Sequence, residues 1–426
     1  MDKVMAFLEN QVMPRAARVA EQTHMAAIQQ AFVVIMPYLI ISSFFLVIAN
    51  LPIPGYNEFM SGIFGNGWKA CLDYPVAAIF GLMSLHLSGM LGLKLAQRYK
   101  LDVGAVTVLS TVCFLIVTPF NIKVAEKTYA CIPTDWLGAK GLFVAMIMAI
   151  ISTEIFRKIT ERGIIIKMPP GVPTGVARSF ASLIPATATI IVAVIIREVF
   201  ALTSFDSIHK FIYTLVAMPL GVIGNSFFGA LANVFVVTLL WSVGLHGGVI
   251  VSGVLHPIYL PLMEQNLAAF KAGLPLPNVV TEQFFTMLWV GGAGATIALV
   301  LTMFFRARSE QYKELSKLAL PSAFFNINEP ILFGLPIVLN PVMLIPFVVT
   351  PMILCAINYA AMYFDIVARP MGVIIPWTTP PIIQGWLITG SWTGAALQLV
   401  DILIAMAIYY PFFKLLDKRQ IFDEQQ

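Results

Sequence analysis

The chain has 426 residues, of which 59% are hydrophobic and only 11% are charged. Soluble domains carry charge on about a quarter of their residues, so this composition excludes a chain that is soluble along its whole length. A net charge of +4 spread over 426 residues also makes no surface that would follow a nucleic-acid backbone. The repeated charge-free stretches instead predict an all-α polytopic membrane protein.

Residues 1–30 are mixed polar and contain no compact apolar stretch of the kind that opens a cleavable signal peptide. Met1, Met5, Leu8 and Val12 recur at helical spacing, which is typical of an amphipathic helix. We therefore expect a cytoplasmic amphipathic segment over residues 1–30.

The remaining chain is read for membrane crossings, each of which needs about 20 apolar residues. The charge-free run at 211–263 is too long for one crossing. Crossings are predicted at Ala31–Leu51, Tyr74–Leu93, Val103–Ile122, Gly141–Phe156, Ser179–Ile196, Gln283–Phe305, Pro330–Phe364, Pro370–Val400 and Ile402–Phe413. Pro330–Phe364 and Pro370–Val400 are longer or more often interrupted by proline than simple helices. The sequence thus predicts about ten transmembrane helices.

Most of the lysines and arginines gather in five clusters, which lie at residues 3–18, 94–100, 157–178, 306–317 and 414–419. Cytoplasmic loops of membrane proteins carry an excess of these residues. We therefore expect all five clusters, and both chain termini, on the cytoplasmic side.

Glycine and proline interrupt the uncharged runs of the second half, for example at Gly244, Gly248, Pro257 and Pro336. Irregular backbone at membrane depth occurs only where protein or a water-filled cavity satisfies its polar groups. Discontinuous or re-entrant segments, and a binding site, are therefore expected in the second half.

Glu329 is the only charged residue between Lys317 and Asp365, and Asn326 and Asn328 precede it. A carboxylate at membrane depth costs at least ~2.5 kcal/mol and normally faces a cavity with a partner. A helix-capping carboxylate is the alternative, because a proline follows at the position where helices begin. We interpret Glu329 and the two amides as ligands of a substrate.

Two aromatic segments add further candidates. His246 follows Trp241 and precedes Gly247, whose lack of a side chain lets backbone approach a ligand closely, although a lone histidine is often a core residue. Trp377 stands among prolines and threonines and is either an interface anchor or a pocket wall. Carboxylate, imidazole, amide and indole groups suit a neutral polyol with apolar faces. Glu329 and His246 would equally suit a proton relay.

No motif for metal or covalent chemistry is found. The four cysteines form no CxxC pair, and we interpret them as packing residues. HExxH and GxSxG motifs are missing, which argues against an intramembrane enzyme that acts on a lipid-linked sugar. Neither a metal nor another cofactor is expected.

The same segments resemble a known family. The resemblance rests on the block Asn326-Ile327-Asn328-Glu329-Pro330-Ile331-Leu332-Phe333-Gly334 and on shorter blocks at 118–120, 168–174, 178–180, 240–247, 318–322, 340–347 and 376–378. These blocks are similar to the enzyme IIC permease of the bacterial phosphoenolpyruvate:sugar phosphotransferase system, in its lactose, cellobiose and N,N′-diacetylchitobiose branch.

The resemblance implies a homodimer in the bacterial inner membrane with two domains per chain. Residues 31–203 would form the dimerisation domain, 204–213 an amphipathic connector, 214–417 a sugar-binding domain with two re-entrant hairpins, and 418–426 a cytoplasmic tail. The sugar domain would move across the membrane as a rigid body, in the manner of an elevator.

The resemblance also implies roles for the candidate residues. Glu329 and His246 would hold the sugar hydroxyl that is phosphorylated, and Trp377 would lie against a sugar ring. The other substrate-binding candidates are Asn328, Asn326, Trp241 and Gly247. The substrate would be a β-linked disaccharide, and its phosphoryl donor a separate phosphorylated IIB protein with IIA upstream, so that the chain is a transporter that acts within a sugar phosphotransferase. The alternative is a proton-coupled sugar symporter.

Overall fold

The computed structural model describes Pro14, Arg18 and residues 21–51, 53–124, 127–335, 337 and 340–424. Most of the amphipathic segment expected at residues 1–30 lies outside the described residues. The described part is almost entirely helical, and its sole sheet is one antiparallel pair of strands. The prediction of an all-α polytopic protein is confirmed.

The helices and strands are numbered here in chain order. They are α1 (Thr23–Ala49), α2 (Tyr56–Phe64), α3 (Trp68–Ile79), α4 (Met83–Tyr99), α5 (Val103–Val117), β1 (Asn121–Val124), β2 (Lys127–Ala130), α6 (Leu142–Glu161), α7 (Thr174–Ala201), α8 (Ile208–Ile212), α9 (Met218–Gly224), α10 (Phe227–Ser242), α11 (Gly247–Lys271), α12 (Glu282–Leu288), α13 (Ile297–Arg306), α14 (Glu310–Phe324), α15 (Glu329–Gly334), α16 (Pro341–Tyr363), α17 (Ile383–Thr389) and α18 (Trp392–Glu424).

Contacts divide the chain into two compact units. Unit A comprises residues 21–42 and 73–221, and unit B includes residues 43–72 and the described residues from 222 onward. Helices α4 to α7 form the core of unit A, where Phe114, Met148 and Phe156 are buried. At Gly92 a side chain would collide with Ser110, so the missing side chain lets α4 and α5 approach closely.

Seven helical segments of the described chain are long and apolar enough to cross a membrane. They are Thr23–Ala49, Trp68–Tyr99, Ala139–Glu161, Thr174–Ala201, Gly247–Lys271, Val342–Tyr363 and Trp392–Phe422. The pair Ile208–Gly224 and Phe227–Ser242, bent by 79°, makes an eighth if it is counted as one span. The number of ten crossings therefore stays a prediction.

Several predicted crossings are wrong in their bounds. The segment predicted as Pro370–Val400 is not one helix, because residues 364–382 are irregular and prolines interrupt them. Ile402–Phe413 is not a separate crossing but the middle of α18. Gln283–Phe305 is broken between α12 and α13, where several glycines adopt positive φ. Pro330–Phe364 is likewise divided between α15 and α16.

The cysteines are also not all alike. Cys113 and Cys355 are buried, as expected of packing residues, whereas Cys71 and Cys131 are exposed. The packing interpretation is therefore wrong for the latter two.

Glu154 shows how unit A accommodates a carboxylate within a predicted crossing. Its oxygens accept hydrogen bonds from the Tyr99 hydroxyl at 2.6 Å and from the Arg157 guanidinium at 2.7 Å. The His24 ring lies 3.1 Å away. Because every partner comes from α1, α4 or α6, the charged group is satisfied inside the helix bundle and joins these three helices.

We expect Glu154→Ala to lower the free energy of unfolding by about 2 kcal/mol, because it removes the carboxylate acceptor of Tyr99 and one of the two carboxylates bound to the partly buried Arg157. Glu161→Ala is the matched control, since it removes the other carboxylate bound to Arg157. Glu161 is exposed and lies four residues after Arg157 on the same helix, so its loss should cost less than about 0.5 kcal/mol of stability. Thermal unfolding in detergent measures both. Equal losses in the two variants would contradict the bridging role of Glu154.

Candidate functional site

Four breaks in the helices of unit B carry the candidate residues. They lie at residues 243–246, 289–296, 325–328 and 364–382. Positive φ angles occur in each of them, for example at Gly244, Gly292, Asn326 and Gly372. Broken helices leave backbone groups without helical partners, so at membrane depth these groups must be satisfied by other means.

Asn326 ends α14 and joins three of the breaks. Its backbone has φ 60°, and its N–H and that of Ile327 return to the carbonyls of Ala323 and Ser322, which closes the helix as a Schellman motif. Asparagine tolerates this left-handed conformation better than most residues.

The side chain of Asn326 is 4% exposed and is fully used by backbone groups. Its Nδ2 donates to the carbonyls of Trp377 and Thr379, at 2.7 and 2.8 Å. Its Oδ1 accepts from the N–H of Gly291 at 2.7 Å. The structure therefore places Asn326 beneath the site, where it holds two neighbouring loops.

Asn328 is also buried, and it too is bonded to backbone groups. Its backbone carbonyl accepts from the N–H groups of Ile331 and Leu332 at the start of α15, and its Nδ2 donates to the carbonyl of Ala293 at 2.8 Å. A Cβ atom at Gly292 would lie 2.7 Å from Asn328 Cγ. Glycine is thus needed at 292 both for its φ of 95° and for this close approach.

Buried glutamines hold the last break. Gln398 Oε1 accepts from the N–H groups of Ile382 and Gly385, each at 2.7 Å, and its Nε2 donates to Gln384 Oε1 at 3.1 Å. Gln384 donates in turn to the Trp377 carbonyl at 3.2 Å. These supporting glutamines were missed as functional residues, although a polar side chain in an apolar run is the signal that would identify them.

Tyr409 and Gln283 give the same support from other helices. The Tyr409 hydroxyl donates to the carbonyl of Gly294 at 2.7 Å, and Gln283 Oε1 accepts from the N–H of Ile375 at 3.0 Å. The breaks at 289–296, 325–328 and 364–382 therefore have side chains that satisfy part of their backbone, whereas the N–H groups of residues 243–245 return to carbonyls of α10.

His246 caps the start of α11. Its Nδ1 accepts from the N–H of Val249 at 3.1 Å. The centroid of its ring lies 4.3 Å from the centroid of the Trp241 ring. A ring nitrogen that accepts carries no proton, so in the neutral imidazole the proton is on Nε2. The exposed His246 ring therefore presents an N–H donor.

Gly247 supports His246 from behind. It is buried, and a Cβ atom there would collide with the carbonyl of Val237. Its missing side chain lets α11 begin directly against α10, which fixes the direction of the preceding histidine.

Glu329 is the first residue of α15, and its side chain is exposed although Asn328 beside it is buried. Its carboxylate lies within electrostatic range of the His246 ring. Trp377 is 59% exposed, while its carbonyl is held by Asn326 and Gln384. Thus Glu329, His246 and Trp377 project from supported loops, whereas Asn326, Asn328 and Gly247 are buried.

The projecting groups form a hydrogen-bonding surface with aromatic faces. Glu329 offers acceptor oxygens, His246 offers a donor, and the indole rings offer apolar planes. This combination suits an uncharged molecule that carries hydroxyl groups on an apolar ring.

Comparison with known proteins adds independent information. The family model described as "Phosphotransferase system, EIIC" matches residues 29–351. The cellobiose-specific EIIC component of Geobacillus stearothermophilus is 48% identical over all of this chain and 97% of its own length. The lichenan permease IIC component of Bacillus subtilis is 45% identical over all of this chain and 96% of its own length.

A solved structure is similar along the whole chain. It is the crystal structure of the transporter ChbC, the IIC component from the N,N′-diacetylchitobiose-specific phosphotransferase system. Its TM-score is 0.96 at 47% sequence identity, and the match covers 98% of this chain and 99% of that one.

The role of Asn326 is testable by two substitutions. Asn326→Gly should cost about 3 kcal/mol of stability, because it leaves the Gly291 N–H and the Thr379 carbonyl without their side-chain partner and removes one of two donors to the Trp377 carbonyl. Asn326→Ala should cost about 1 kcal/mol more, since alanine is strained at this positive φ. Thermal unfolding of the purified variants measures both. A glycine variant as stable as the parent would contradict the supporting role of this amide.

Proposed function

Because this chain belongs to the phosphotransferase system EIIC family and is a multi-pass sugar permease of the cell membrane, we propose that it translocates a β-linked disaccharide of the cellobiose or diacetylchitobiose type. It presents that sugar for phosphorylation by a separate phosphorylated IIB protein. The sugar class is supported by the relatives, whose names include cellobiose, lichenan and N,N′-diacetylchitobiose.

One observation of the structure carries the site assignment. Glu329 and His246 are 83 positions apart, yet both side chains are exposed and lie within electrostatic range of each other. An exposed carboxylate in a predominantly apolar half of the chain is costly unless a polar ligand or water meets it. A sugar hydroxyl between them would donate to Glu329 and accept from His246 Nε2.

This arrangement also suits the chemistry of phosphoryl transfer. The sugar hydroxyl oxygen forms a bond to phosphorus while the bond from phosphorus to the donor protein breaks, and the hydroxyl proton has to leave. Glu329 orients the hydroxyl and takes that proton as a general base. His246 holds the sugar in register, and Trp377 and Trp241 offer faces to its rings.

The partner assignment rests on the relatives that are named EIIC components, since these match along nearly their whole length. Basic clusters at residues 94–100 and 306–317 give the predicted cytoplasmic face a positive surface. An acidic or phosphorylated IIB surface would dock there by charge complementarity. IIA would supply the phosphoryl group to IIB.

Movement of a sugar domain is supported by the division of the chain into two compact units at residues 221 and 222. We propose residues 31–203 as the dimerisation domain, 204–213 as the connector, 214–417 as the domain that moves like an elevator, and 418–426 as a cytoplasmic tail. Residues 43–72 group with unit B rather than with the rest of the first domain, so this part of the chain is the natural place for a hinge.

The proposal of a homodimer is supported by α7. Only 17% of its most apolar window is buried within the chain, so most of this helix is left for lipid or for a second subunit. Positive clusters at both ends of the chain favour termini on the cytoplasmic side.

Glu329→Gln tests the site. It keeps the shape of the side chain but removes the charge and the base, so sugar phosphorylation by phosphorylated IIB should fall at least ~100-fold. Asp135→Asn is the control, because Asp135 is an exposed carboxylate that pairs with Lys140 and lies outside the clusters proposed to dock IIB. Phosphorylation that continues unchanged in Glu329→Gln would remove Glu329 from the site.

A sugar uptake assay in membrane vesicles distinguishes the proposal from proton-coupled symport, which Glu329 and His246 would also suit. A phosphotransferase permease should deliver sugar phosphate, depend on phosphoenolpyruvate and tolerate a protonophore. Delivery of free sugar that stops with the protonophore would instead identify a symporter.

The sugar class is tested by direct binding. Purified protein should bind cellobiose or diacetylchitobiose more tightly than lactose, and Trp377→Ala should weaken binding of the preferred sugar about tenfold, since an aromatic face contributes about 1 kcal/mol or more. Isothermal titration calorimetry measures these affinities. Tightest binding of lactose, or no effect of Trp377→Ala, would contradict this part of the proposal.

A further inference from the structure

Unit A contains a cavity of about 490 Å³ that the sugar site does not use. It lies where the ends of four helices meet. Lys100 directly follows α4 and Asp102 precedes α5, while Phe156 is near the end of α6 and Arg178 is in the second turn of α7. All of these positions belong to the face of unit A that the basic clusters predict to be cytoplasmic.

Two cations line this cavity. Among the described residues, neither Lys100 nor Arg178 has a hydrogen bond or an ion pair with another side chain. The one carboxylate in the lining, Asp102, already accepts from the N–H of Ala105 at 2.8 Å and caps α5. The lining is thus net positive, and its positive groups are available to a ligand.

The rest of the wall is largely apolar. Leu101, Val103, Phe156 and Ala181 line the cavity together with the two cations. An inorganic anion would need only the cations, whereas a lipid places a phosphate beside hydrocarbon. Basic pockets between the ends of transmembrane helices are typical sites for lipid head groups. Arginine suits phosphate oxygens because its planar group donates two parallel hydrogen bonds.

The positive-inside pattern alone does not account for this arrangement. Arg98 and Arg162 belong to the same basic clusters and are exposed, but neither lines the cavity. They follow the general pattern of cations at a cytoplasmic face, while Lys100 and Arg178, which are also exposed, come from the α4–α5 connection and from α7 and line the same cavity.

We propose that this cavity binds the phosphate head group of an anionic phospholipid, with Lys100 and Arg178 as its ligands and the apolar wall against the start of the acyl chains. The lipid joins the ends of α4, α5, α6 and α7 and stabilises unit A. This site is independent of the sugar site, so its test does not depend on the proposed transport function.

The experiment uses the delipidated full chain in detergent, titrated with phosphatidylglycerol while thermal unfolding is followed. Each cation near a lipid phosphate contributes roughly fivefold to affinity, so Lys100→Gln and Arg178→Gln should each weaken lipid binding about fivefold and together about 25-fold. The double variant Arg98→Gln/Arg162→Gln is the matched control, because it removes two cations from the same face but none from the cavity.

Two further probes identify the ligand. Phosphatidylcholine tests whether the charge of the head group matters, and glycerol 3-phosphate tests whether a free phosphate is sufficient. We expect phosphatidylglycerol to stabilise the protein and the other two probes not to do so. This stabilisation should be lost in the cavity variants and kept in the control variant.

Three results would overturn the proposal. The first is an equal weakening of phosphatidylglycerol binding in the cavity and control variants, and the second is no weakening of that binding in either. The third is full stabilisation of the protein by glycerol 3-phosphate. If the double cavity variant does not fold, the two single variants and the wild-type lipid series still decide the question.

Discussion

The structure of unit B depends on one constraint: backbone N–H and C=O groups at membrane depth must have partners. Continuous helices meet it internally. In three of the four breaks that carry candidate residues, side chains supply many of the partners. Asn326 alone satisfies one N–H and two carbonyls, and Gln398 satisfies two N–H groups. Buried amides therefore take the place that water has in the loops of a soluble protein.

This constraint separates the residues that build the site from those that meet the ligand. A side chain whose polar atoms are committed to backbone has little left for a substrate, which is the situation of Asn326. Glu329, His246 and Trp377 are free to project because their neighbours carry the backbone. The exposed carboxylate in an apolar environment and the buried amides beneath it are two parts of the same arrangement.

The sequence predicts the membrane class and most helices of the first half. It indicates Glu329 and His246 because lone polar residues in apolar runs are conspicuous, and their role in the site stays a prediction. It does not predict where broken helices end. The residues from Pro370 to Val400 are apolar enough for a crossing, yet their prolines and glycines leave residues 364–382 irregular. Asn326 and Gly247, which the sequence indicates as ligand-binding candidates, are buried, and contacts such as that of the Val237 carbonyl against Gly247 leave no mark in a single sequence.

The cap at the start of α11 has one more consequence. Because Nδ1 of His246 is engaged by the Val249 N–H, a second proton on the ring would face another proton and release the first turn of that helix. The imidazole is thus built to remain in a single tautomer, and a group that keeps its proton in place is better suited to recognising an oxygen atom than to passing hydrogen ions along a pathway.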